Sequence, residues 1–598
     1  MKHARLWMVS VLVLALGSTS RAQVTRRVSV AANGTQGNGD SGEPFLSSDG
    51  HSVAFYTTAS NLLVGDSNGI GDIYSCDWPS RANEIVSVDS NEVLCNHAVE
   101  LPVASADGHY VAFASFADNL VTGDTNGVYD VFIRDRTSGT TQRVSVSSAG
   151  VQGNGHSFYS SISANGRYVV FGSEANNLVA GDSNGVMDIF LRDVLSGTTE
   201  RVSFGGMPGF IEANGRSIEP SVSADGRYVA FSSFATNFRP GDTNGCVDVF
   251  LRDRQQTTTR WMSIPVVGGQ PNGHCGGPAI SADGLHVAFL SGASNMVAGD
   301  TNGAWDVFIY HWTGNLMEIV SVSTSDAVAD AESSSLSISG DGAFVAFASK
   351  ATNLAPGDTN GVEDVFLRSV YANTTERLSV ASNGTQADGA SQRPSISGDG
   401  RFVAFASAAT NLVSGDTNGV LDVFLRDRDA TGFTSLCLPG AGGVISCPCS
   451  NPPTVSGRGC NNSAGTNGAL LSAAGIAYLS ADSLVFTTYG ERASALSIVL
   501  QGTAVLPTGA VYGQGVRCVG GTLKRLYTKT ASLGSITAPN FGAGDATVSA
   551  RSAALGNPIL PGTDRWYLVY YRDGVVLGGC PSTSKFNTTQ TGKVFWGP

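Results

Sequence analysis

Apolar residues alternate with small or polar residues in short runs along most of the chain. In one group of runs, Tyr110–Ser115 alternates large and small side chains, and Asp130–Asp135 and Arg143–Val146 behave alike. A period of two residues is typical of strands that pack on both faces. Ser105–Gly108 is a tight-turn signal that separates Tyr110–Ser115 from a shorter run before it. The group therefore predicts four short strands.

This group recurs seven times. Its marker is Gly-Asp-Ser/Thr-Asn-Gly, and successive markers lie 58 residues apart in five intervals and 60 in the other. Four short strands per repeat, without a helical stretch, predict an all-β, seven-bladed β-propeller. The markers begin at Gly65, Gly123, Gly181, Gly241, Gly299, Gly357 and Gly415.

The two ends of the repeat region complement each other. Thr25–Val30 has the sequence of a fourth strand without the preceding three, whereas the seventh repeat reaches Phe433–Ser435 without a fourth strand. We predict that the N-terminal segment completes the last blade by strand exchange, because this removes an open sheet edge. The predicted propeller spans residues 23–435.

The repeat also resembles a known family. Ser223–Phe231 reads Ser-Ala-Asp-Gly-Arg-Tyr-Val-Ala-Phe, and Asp248–Asp253 reads Asp-Val-Phe-Leu-Arg-Asp. This pattern resembles the TolB-like (PD40/WD40-like) β-propeller repeats of exported bacterial proteins. The resemblance covers about residues 23–435, and it implies the propeller fold without naming a ligand.

The first 22 residues have the organisation of a secretory signal peptide. Met1–Arg5 carries two positive charges, Leu6–Gly17 is mostly apolar, and Ser20 and Ala22 place small residues at a cleavage site. The apolar run is too short to span a bilayer, and no later run reaches 18 residues, so we expect no transmembrane segment. The chain is predicted to be secreted or to lie in the periplasm or cell envelope.

Composition changes near Cys437, where a segment rich in Gly, Ser, Asn, Pro and Cys begins. Strand-like runs follow, and they predict a smaller β-sandwich-like domain over residues 436–598. The runs are Ala469–Leu479, Ser483–Thr488, Ala495–Leu500, Gly515–Thr528, Trp566–Tyr571 and Lys593–Trp596.

Short motifs in this second domain carry a further resemblance. Cys447–Cys449 reads Cys-Pro-Cys, Gly459–Ser463 reads Gly-Cys-Asn-Asn-Ser, and the chain closes with Phe586-Asn587 and Val594–Trp596. Together they resemble a C-terminal domain of secreted proteins from environmental bacteria. By position, the domain is a candidate for sorting, anchoring or glycan binding.

Ten cysteines are present, and even numbers in an exported chain favour disulfides. In the propeller, Cys76 is expected to pair with Cys95, and Cys246 with Cys275. Zinc or redox chemistry at Cys447–Cys449 is disfavoured, since zinc-binding cysteines are usually spaced by two to four residues. The other six cysteines are Cys437, Cys447, Cys449, Cys460, Cys518 and Cys580.

The repeated acidic loop, Asp-Ser/Thr-Asn-Gly-x-x-Asp, is a candidate calcium site. Oxygen donors at positions 1, 3 and 7 around a glycine resemble calcium loops, although position 5 and a Glu at position 12 are missing. The alternative is a turn held by Asx interactions and a left-handed glycine. The candidate ligands are Asp66, Asn68, Asp72, Asp124, Asn126, Asp130, Asp182, Asn184, Asp188, Asp242, Asn244, Asp248, Asp300, Asn302, Asp306, Asp358, Asn360, Asp364, Asp416, Asn418 and Asp422.

These loops join the second and third strands, so they share a face of the propeller with the links between blades. We expect a protein or glycan ligand on this loop-rich face. A net charge of −13 argues against nucleic acid as the partner. His97, His156 and His274 fall in comparable links and are a candidate cluster on the same face.

The leading functional hypothesis is a secreted, non-enzymatic binding scaffold, stabilised by calcium if the loops bind it. The chain has no convincing nucleophile elbow, zinc-protease motif or phosphate loop, and its carboxylates repeat sevenfold. The alternative is an exported hydrolase or lyase that acts on polysaccharide or peptide through acids on the loop-rich face. A third possibility assigns the function to the C-terminal domain as a sorting or anchoring module.

Overall fold

The computed structural model describes residues 23–78, 80–205, 211–429, 433–436, 439–440, 444–453, 458–466, 468–479, 482–576 and 584–596. Their contacts form two compact units, Gln23–Arg428 and the residues from Asp429 onward. The predicted signal peptide lies outside the described residues. Within these ranges, no helix is both long enough and apolar enough to cross a membrane.

The first unit consists of seven four-stranded antiparallel sheets, called blades 1 to 7 in chain order. The innermost strands are Ser41–Leu46, Val99–Ala104, Ser157–Ile162, Ser217–Val222, Cys275–Ile280, Ser333–Ile338 and Ser391–Ile396. The second strands are Ser52–Thr57, Tyr110–Ser115, Tyr168–Ser173, Tyr228–Ser233, His286–Ser291, Phe344–Ser349 and Phe402–Ser407. The third strands are Asp72–Asp77, Asp130–Asp135, Asp188–Asp193, Asp248–Asp253, Asp306–His311, Asp364–Ser369 and Asp422–Asp427. The outer strands are Ala82–Ile85, Thr140–Arg143, Thr198–Arg201, Thr258–Trp261, Leu316–Ile319, Thr374–Arg377 and, for blade 7, Val24–Arg27.

The N-terminal strand closes the ring, as predicted. Val24–Arg27 pairs antiparallel with Asp422–Asp427, with Val24 opposite Asp427. Phe433–Leu436, at the end of the seventh repeat, pairs instead with Thr591–Trp596 in the second unit. The outer edge of blade 7 is therefore covered by residues from the opposite end of the propeller sequence.

The innermost strands surround a central channel. Each contacts the innermost strand of the next blade, and that of blade 1 contacts that of blade 7. At one end of the channel, the turns between first and second strands form a ring of backbone hydrogen bonds, from Asp49 N to Ala106 O (2.9 Å) round to Gly398 N and Ser48 O (2.7 Å). These observations confirm the seven-bladed propeller.

Apolar side chains pack mainly between neighbouring blades. Phe113 and Phe132 of blade 2 are fully buried and stack with centroids 6.0 Å apart. Ala54 and Ile73 of blade 1 belong to the same cluster. An alternation of large and small residues lets each sheet contribute apolar groups to both faces, which is why the sequence alternates with a period of two.

The second unit places two sheets around one apolar core. The larger sheet has the order Phe433–Leu436, Thr591–Trp596, Thr563–Arg572, Leu496–Gly502 and Lys524–Thr530, with Phe586–Thr588 beside Thr563–Arg572. The smaller contains Leu470–Ala474, Val485–Tyr489 and Thr537–Ala538, and Ala504–Tyr512 forms a separate pair with Gly515–Gly520. Phe486 and Tyr567 pack across the core with ring centroids 4.6 Å apart. The arrangement is sandwich-like, as predicted, with an added helix at Val548–Ala554 and a 3-10 turn at Phe541–Ala543.

The cysteines divide between the two units. Cys447 and Cys460 form a disulfide with each other, and Cys449 and Cys518 each take part in a disulfide outside this pair. No free thiolate is therefore available for metal at Cys447 or Cys449. Cys437 and Cys580 lie outside the described residues.

The predicted disulfides in the propeller are wrong, because Cys76, Cys95, Cys246 and Cys275 are free. Their thiols have other surroundings. Cys95 Sγ donates to Asp72 Oδ1 (3.2 Å). Cys275 Sγ lies 3.1 Å from Ser291 Oγ, and the equivalent pair in blade 3 consists of two hydrogen-bonded serines, so Cys275 takes the place of a serine. Cys76 is buried in a third strand.

Candidate functional site

The acidic loops and the links between blades lie against one another. Asn61 Nδ2 donates to Gln36 O in the link (2.8 Å), and Asn126 Nδ2 of the blade 2 loop donates to Gly153 O (3.0 Å). Equivalent hydrogen bonds from loop asparagines to link carbonyls recur in the other blades. They place both loop types on the same face, called here the loop face. The prediction that they crowd one rim is confirmed.

In six of the seven loops the asparagine acts as a turn residue, whereas Asn418 Oδ1 of blade 7 has no partner among the described residues. In blade 2, Asn126 Oδ1 accepts from Val128 N (3.3 Å), which is an Asx turn, and Asn126 Nδ2 donates to Asp130 Oδ2 (2.8 Å). Asp130 is fully buried, and its other oxygen accepts from Ser145 Oγ. The amide nitrogen, and not the oxygen, therefore faces the carboxylate, so the asparagine is not placed as a metal ligand.

In four blades an arginine lies between the two aspartates of the loop. Arg143 Nη1 of blade 2 is 2.9 Å from Asp124 Oδ1 and 3.1 Å from Asp130 Oδ2. The corresponding distances are 3.0 and 3.1 Å in blade 3, 3.2 and 3.8 Å in blade 6, and 3.0 and 3.0 Å in blade 7. In these blades the cation between the carboxylates is the guanidinium itself. The arginines are Arg143, Arg201, Arg377 and Arg27.

Two further blades replace this arginine by other donors. In blade 1 the position of the arginine is occupied by Ile85. Tyr74, which replaces the phenylalanine of the other blades, donates its hydroxyl to Asp66 Oδ2 (2.8 Å). In blade 4 the position is Trp261, whose Nε1 donates to Asp248 Oδ1 (2.8 Å) beneath the guanidinium of Arg239, 3.8 Å from the ring centroid.

Blade 5 has neither replacement. The position is Ile319, and the equivalent of Tyr74 is Phe308. Asp300 is 7% exposed, and among the described residues nothing donates to its buried Oδ1. Asp306 is fully buried and accepts from Ser321 Oγ (2.6 Å) and Asn302 Nδ2 (2.7 Å).

Burial sets the protonation of these carboxylates. It raises the pKa of Asp306 to about 6, and the like charge of Asp300 acts in the same direction. In blade 3 burial also raises the pKa of Asp182 to about 6, although Arg201 opposes the shift. Across the described residues, no group of three or more His, Cys, Asp or Glu side chains is arranged to hold one metal ion.

The central channel opens on the loop face as a cavity of about 440 Å³. Each innermost strand contains a bulge here, for example between Glu100 and Val103 in blade 2. The residue at the bulge lines the opening and differs in every blade except for two glutamates, and all but Ser335 have φ between 51° and 58°. We call these seven the mouth residues: Glu43, Leu101, Tyr159, Glu219, Gly277, Ser335 and Arg393.

The mouth residues include one exposed aromatic ring and three charged side chains that have partners within the mouth. Tyr159 is 40% exposed. Arg393 Nη1 lies 3.2 Å from Glu43 Oε1, and Glu219 Oε2 accepts from Gly277 N (2.8 Å). Left-handed backbone at non-glycine residues costs energy, and such strain is concentrated at functional sites.

An aromatic cluster adjoins Tyr159. Phe158 contacts both Tyr159 and Tyr129, with centroid separations of 6.2 and 5.0 Å, and Tyr129 contacts Phe116 at 5.4 Å. The candidate histidines divide here: His97 packs on Phe116 and His156 on Phe158, whereas His274 accepts from Val247 N in blade 4. Two of the three histidines thus flank one cluster.

The repeat pattern did not predict the mouth residues. A signal was available, since this position varies in chemistry between repeats, but the residue before it varies as well. The opposite end of the channel is a smaller cavity of about 250 Å³, lined by small residues such as Ala106, Ala164 and Gly398. Chemical variety is therefore concentrated at the loop-face end.

Solved structures similar to this chain include propeller proteins. TolB from Acinetobacter baumannii is 15% identical, with a TM-score of 0.32, over 56% of this chain and 62% of the TolB chain. An oligogalacturonate lyase in complex with manganese is 10% identical, with a TM-score of 0.42, over 67% of this chain and 92% of the lyase. A prolyl endopeptidase is 11% identical, with a TM-score of 0.40, over 75% of this chain and 54% of the peptidase.

No protein-family model and no curated protein matches this chain. The architecture itself is established by the chain's own strand pairing. The resemblance of the C-terminal domain stays a prediction.

Proposed function

We propose that the chain is an exported, non-enzymatic binding module that holds a protein or glycan segment at the loop-face end of its central channel. One observation carries this proposal: the mouth residues occupy one position in every blade and line one opening together, yet they differ in chemistry from blade to blade. The loop aspartates and asparagines that hold the repeat together stay constant. A position that recognises an asymmetric ligand would not be expected to stay constant.

The chemistry of the mouth suits a polar chain with some apolar surface. Tyr159 offers an exposed ring with a polar tip, and such rings are favoured at binding surfaces. Glu43 and Arg393 can exchange their mutual ion pair for hydrogen bonds to hydroxyl or amide groups of a ligand. A concave site with few, well-placed polar groups is the usual form of a ligand site.

Export supports the same proposal. The sequence of residues 1–22 favours secretion, and the disulfide between Cys447 and Cys460 suits an oxidising compartment. The second unit, from Asp429 onward, would then accompany the propeller as a sorting, anchoring or glycan-binding domain.

The test is a glycan array and a peptide array probed with the mature chain, followed by titration of the best ligand. We expect Tyr159→Ala to weaken binding at least about tenfold, as loss of a central aromatic contact does. Tyr371→Ala is the matched control, because Tyr371 is also exposed but lies at the turn between third and fourth strands, away from the loop face. Equal binding by wild type and Tyr159→Ala would contradict the proposed site.

The alternative, an exported hydrolase or lyase, has its candidate acids at the same place. Glu43 and Glu219 are the carboxylates among the mouth residues. A screen of polysaccharide and peptide substrates should show no turnover by the mature chain. Turnover that is lost in Glu219→Gln would replace the scaffold proposal by the enzymatic one.

A further inference from the structure

Blade 5 differs from the other blades because, among the described residues, it has neither an arginine nor a replacement donor between its two loop aspartates. Four blades hold an arginine between the two loop aspartates, and two more supply a tyrosine hydroxyl or a tryptophan N–H beside an arginine. At the arginine position blade 5 has Ile319, and its link contributes Val328 where five blades contribute a glutamine or glutamate. The pair Asp300 and Asp306 is therefore buried without a cation or replacement donor in the described structure.

The geometry of the other blades shows what this pocket accommodates. In blade 6 the arginine that lies between Asp358 and Asp364 also donates its Nη2 to Gly357 O (3.2 Å), so a backbone oxygen faces the same point. The equivalents in blade 5 are Asp300, Asp306 and Gly299.

Both carboxylates have lone pairs left for a ligand. Asp306 Oδ2 accepts one hydrogen bond, from Asn302. The equivalent oxygen in blade 2, Asp130 Oδ2, accepts from Asn126 and also binds Arg143, so this oxygen can hold a second partner. Asp300 Oδ1 is buried and unpartnered among the described residues. A buried carboxylate oxygen without a partner carries a desolvation cost that a cation would remove.

We propose that the blade 5 loop binds one divalent cation, calcium in an extracellular setting, through the carboxylates of Asp300 and Asp306 at the place of the missing guanidinium. The donors are oxygens, which favour calcium over transition metals. Two carboxylates, a backbone carbonyl and waters form a weak site, with a Kd in the range of about 0.1–1 mM typical of extracellular modules. The site lies in a loop, apart from the mouth residues, and does not depend on the proposed ligand.

This narrows the calcium hypothesis from seven loops to one. In blades 2, 3, 6 and 7 the space is filled by arginine, and in blade 1 Tyr74 donates to Asp66. In blade 4 Asp242 Oδ1 is also unpartnered among the described residues, but the indole of Trp261 occupies the arginine position, donates to Asp248 and lies beneath the guanidinium of Arg239. Asn302 is excluded as a ligand, because its amide nitrogen faces Asp306 and its oxygen accepts from Ala304 N (3.0 Å). The stoichiometry therefore distinguishes the two hypotheses.

The experiment measures calcium binding by isothermal titration and by elemental analysis of the dialysed mature chain. We expect one ion per chain in the wild type. Terbium provides a second readout, because Trp305 is exposed and immediately precedes Asp306, so its excitation should sensitise bound terbium. Calcium should displace the terbium signal.

Ile319→Arg is the decisive variant, because it copies the arginine of the other blades into blade 5. We expect it to fold and to lose calcium binding at least about tenfold, since the guanidinium fills the site. Ile85→Arg is the matched control, which changes the same position in blade 1 and should leave calcium binding unchanged. If Ile319→Arg does not fold, Asp300→Asn is measured instead and should weaken binding by a similar factor.

Three results would overturn the proposal. One is no saturable binding up to about 10 mM calcium, well above the Kd range of such sites, which would leave a shared proton as the partner of Asp300 and Asp306. Another is several ions per chain. The last is binding that survives in Ile319→Arg or in Asp300→Asn.

Discussion

Arg143 and Asp130 form a buried ion pair: Nη1 lies 3.1 Å from Oδ2, and the two side chains are 9% and 0% exposed. Asp124 shares the same guanidinium at 2.9 Å. The pair spans the loop and the outer strand of blade 2, so the arginine both neutralises two carboxylates and ties two elements together. Its equivalents make this the usual arrangement of the propeller.

Arg143→Met is expected to destabilise the propeller by about 3–5 kcal/mol, because it leaves buried carboxylates without a cation. The free energy of unfolding in urea measures the loss. Lys350→Met is the control, since Lys350 and Glu332 form an exposed pair at 56% and 53% exposure, and such a pair contributes less than about 1 kcal/mol. Similar losses in both variants would contradict the structural role of the buried pair.

Stability in a chelating buffer should depend on pH through blade 5. The pKa of Asp306 is raised from 3.8 to about 6 in the folded chain, so between these values the folded state binds a proton that the unfolded state does not. The contribution of Asp306 to stability therefore increases as the pH falls from about 7 to about 4, and it is lost as the pH rises through 6. Ile319→Arg should reduce this dependence, because the guanidinium favours the ionised carboxylate.

Urea unfolding of both proteins across this pH range measures the difference. The comparison matters because Asp182 has a similarly raised pKa and contributes equally to both proteins. Identical pH dependence in wild type and Ile319→Arg would contradict a raised pKa of Asp306 in the folded chain.

Removal of residues 23–30 from the mature chain should lower the melting temperature and promote association. The deletion exposes the edge strand Asp422–Asp427 and removes two partners of the buried Arg426, namely Thr25 Oγ1 and Gln23 Oε1, both at 2.7 Å. Thermal melts and size-exclusion chromatography measure both effects. A synthetic peptide of residues 23–32 should restore stability when added, whereas a scrambled peptide should not; a deletion variant as stable as the full mature chain would refute closure by this strand.

The propeller thiols should be free in the native, exported protein. Titration with a thiol reagent under denaturing, non-reducing conditions should detect Cys76, Cys95, Cys246 and Cys275. In the folded state only Cys246 among these is partly exposed, and burial raises the pKa of Cys76 to about 12, so the buried thiols should react far more slowly. Peptide mapping that finds a bond between Cys76 and Cys95, or between Cys246 and Cys275, would restore the prediction made from the sequence.

The architecture of the repeat region can be read from local patterns in the chain. The alternation at Tyr110–Ser115 and the constant spacing of Gly-Asp-Ser/Thr-Asn-Gly predict four strands and seven blades, because local patterns decide which segments become strands. The match of Thr25–Val30 to a missing fourth strand predicts the closure, since each blade requires the same four strands. The strand pattern, the marker spacing and the missing fourth strand can all be recognised because the same unit occurs seven times in the sequence.

The partners of the side chains, in contrast, depend on how the folded blades bring distant residues together. Asp124 and Asp130 match a calcium loop in sequence, but Arg143 reaches them from the outer strand, so their counter-ion depends on which residue that strand places opposite the loop. Cys95 lies near Asp72 for the same kind of reason, and no spacing rule reveals it. The mouth residues meet around the channel although 58 or more residues separate neighbours, because the closed ring brings one position of every blade to a common axis.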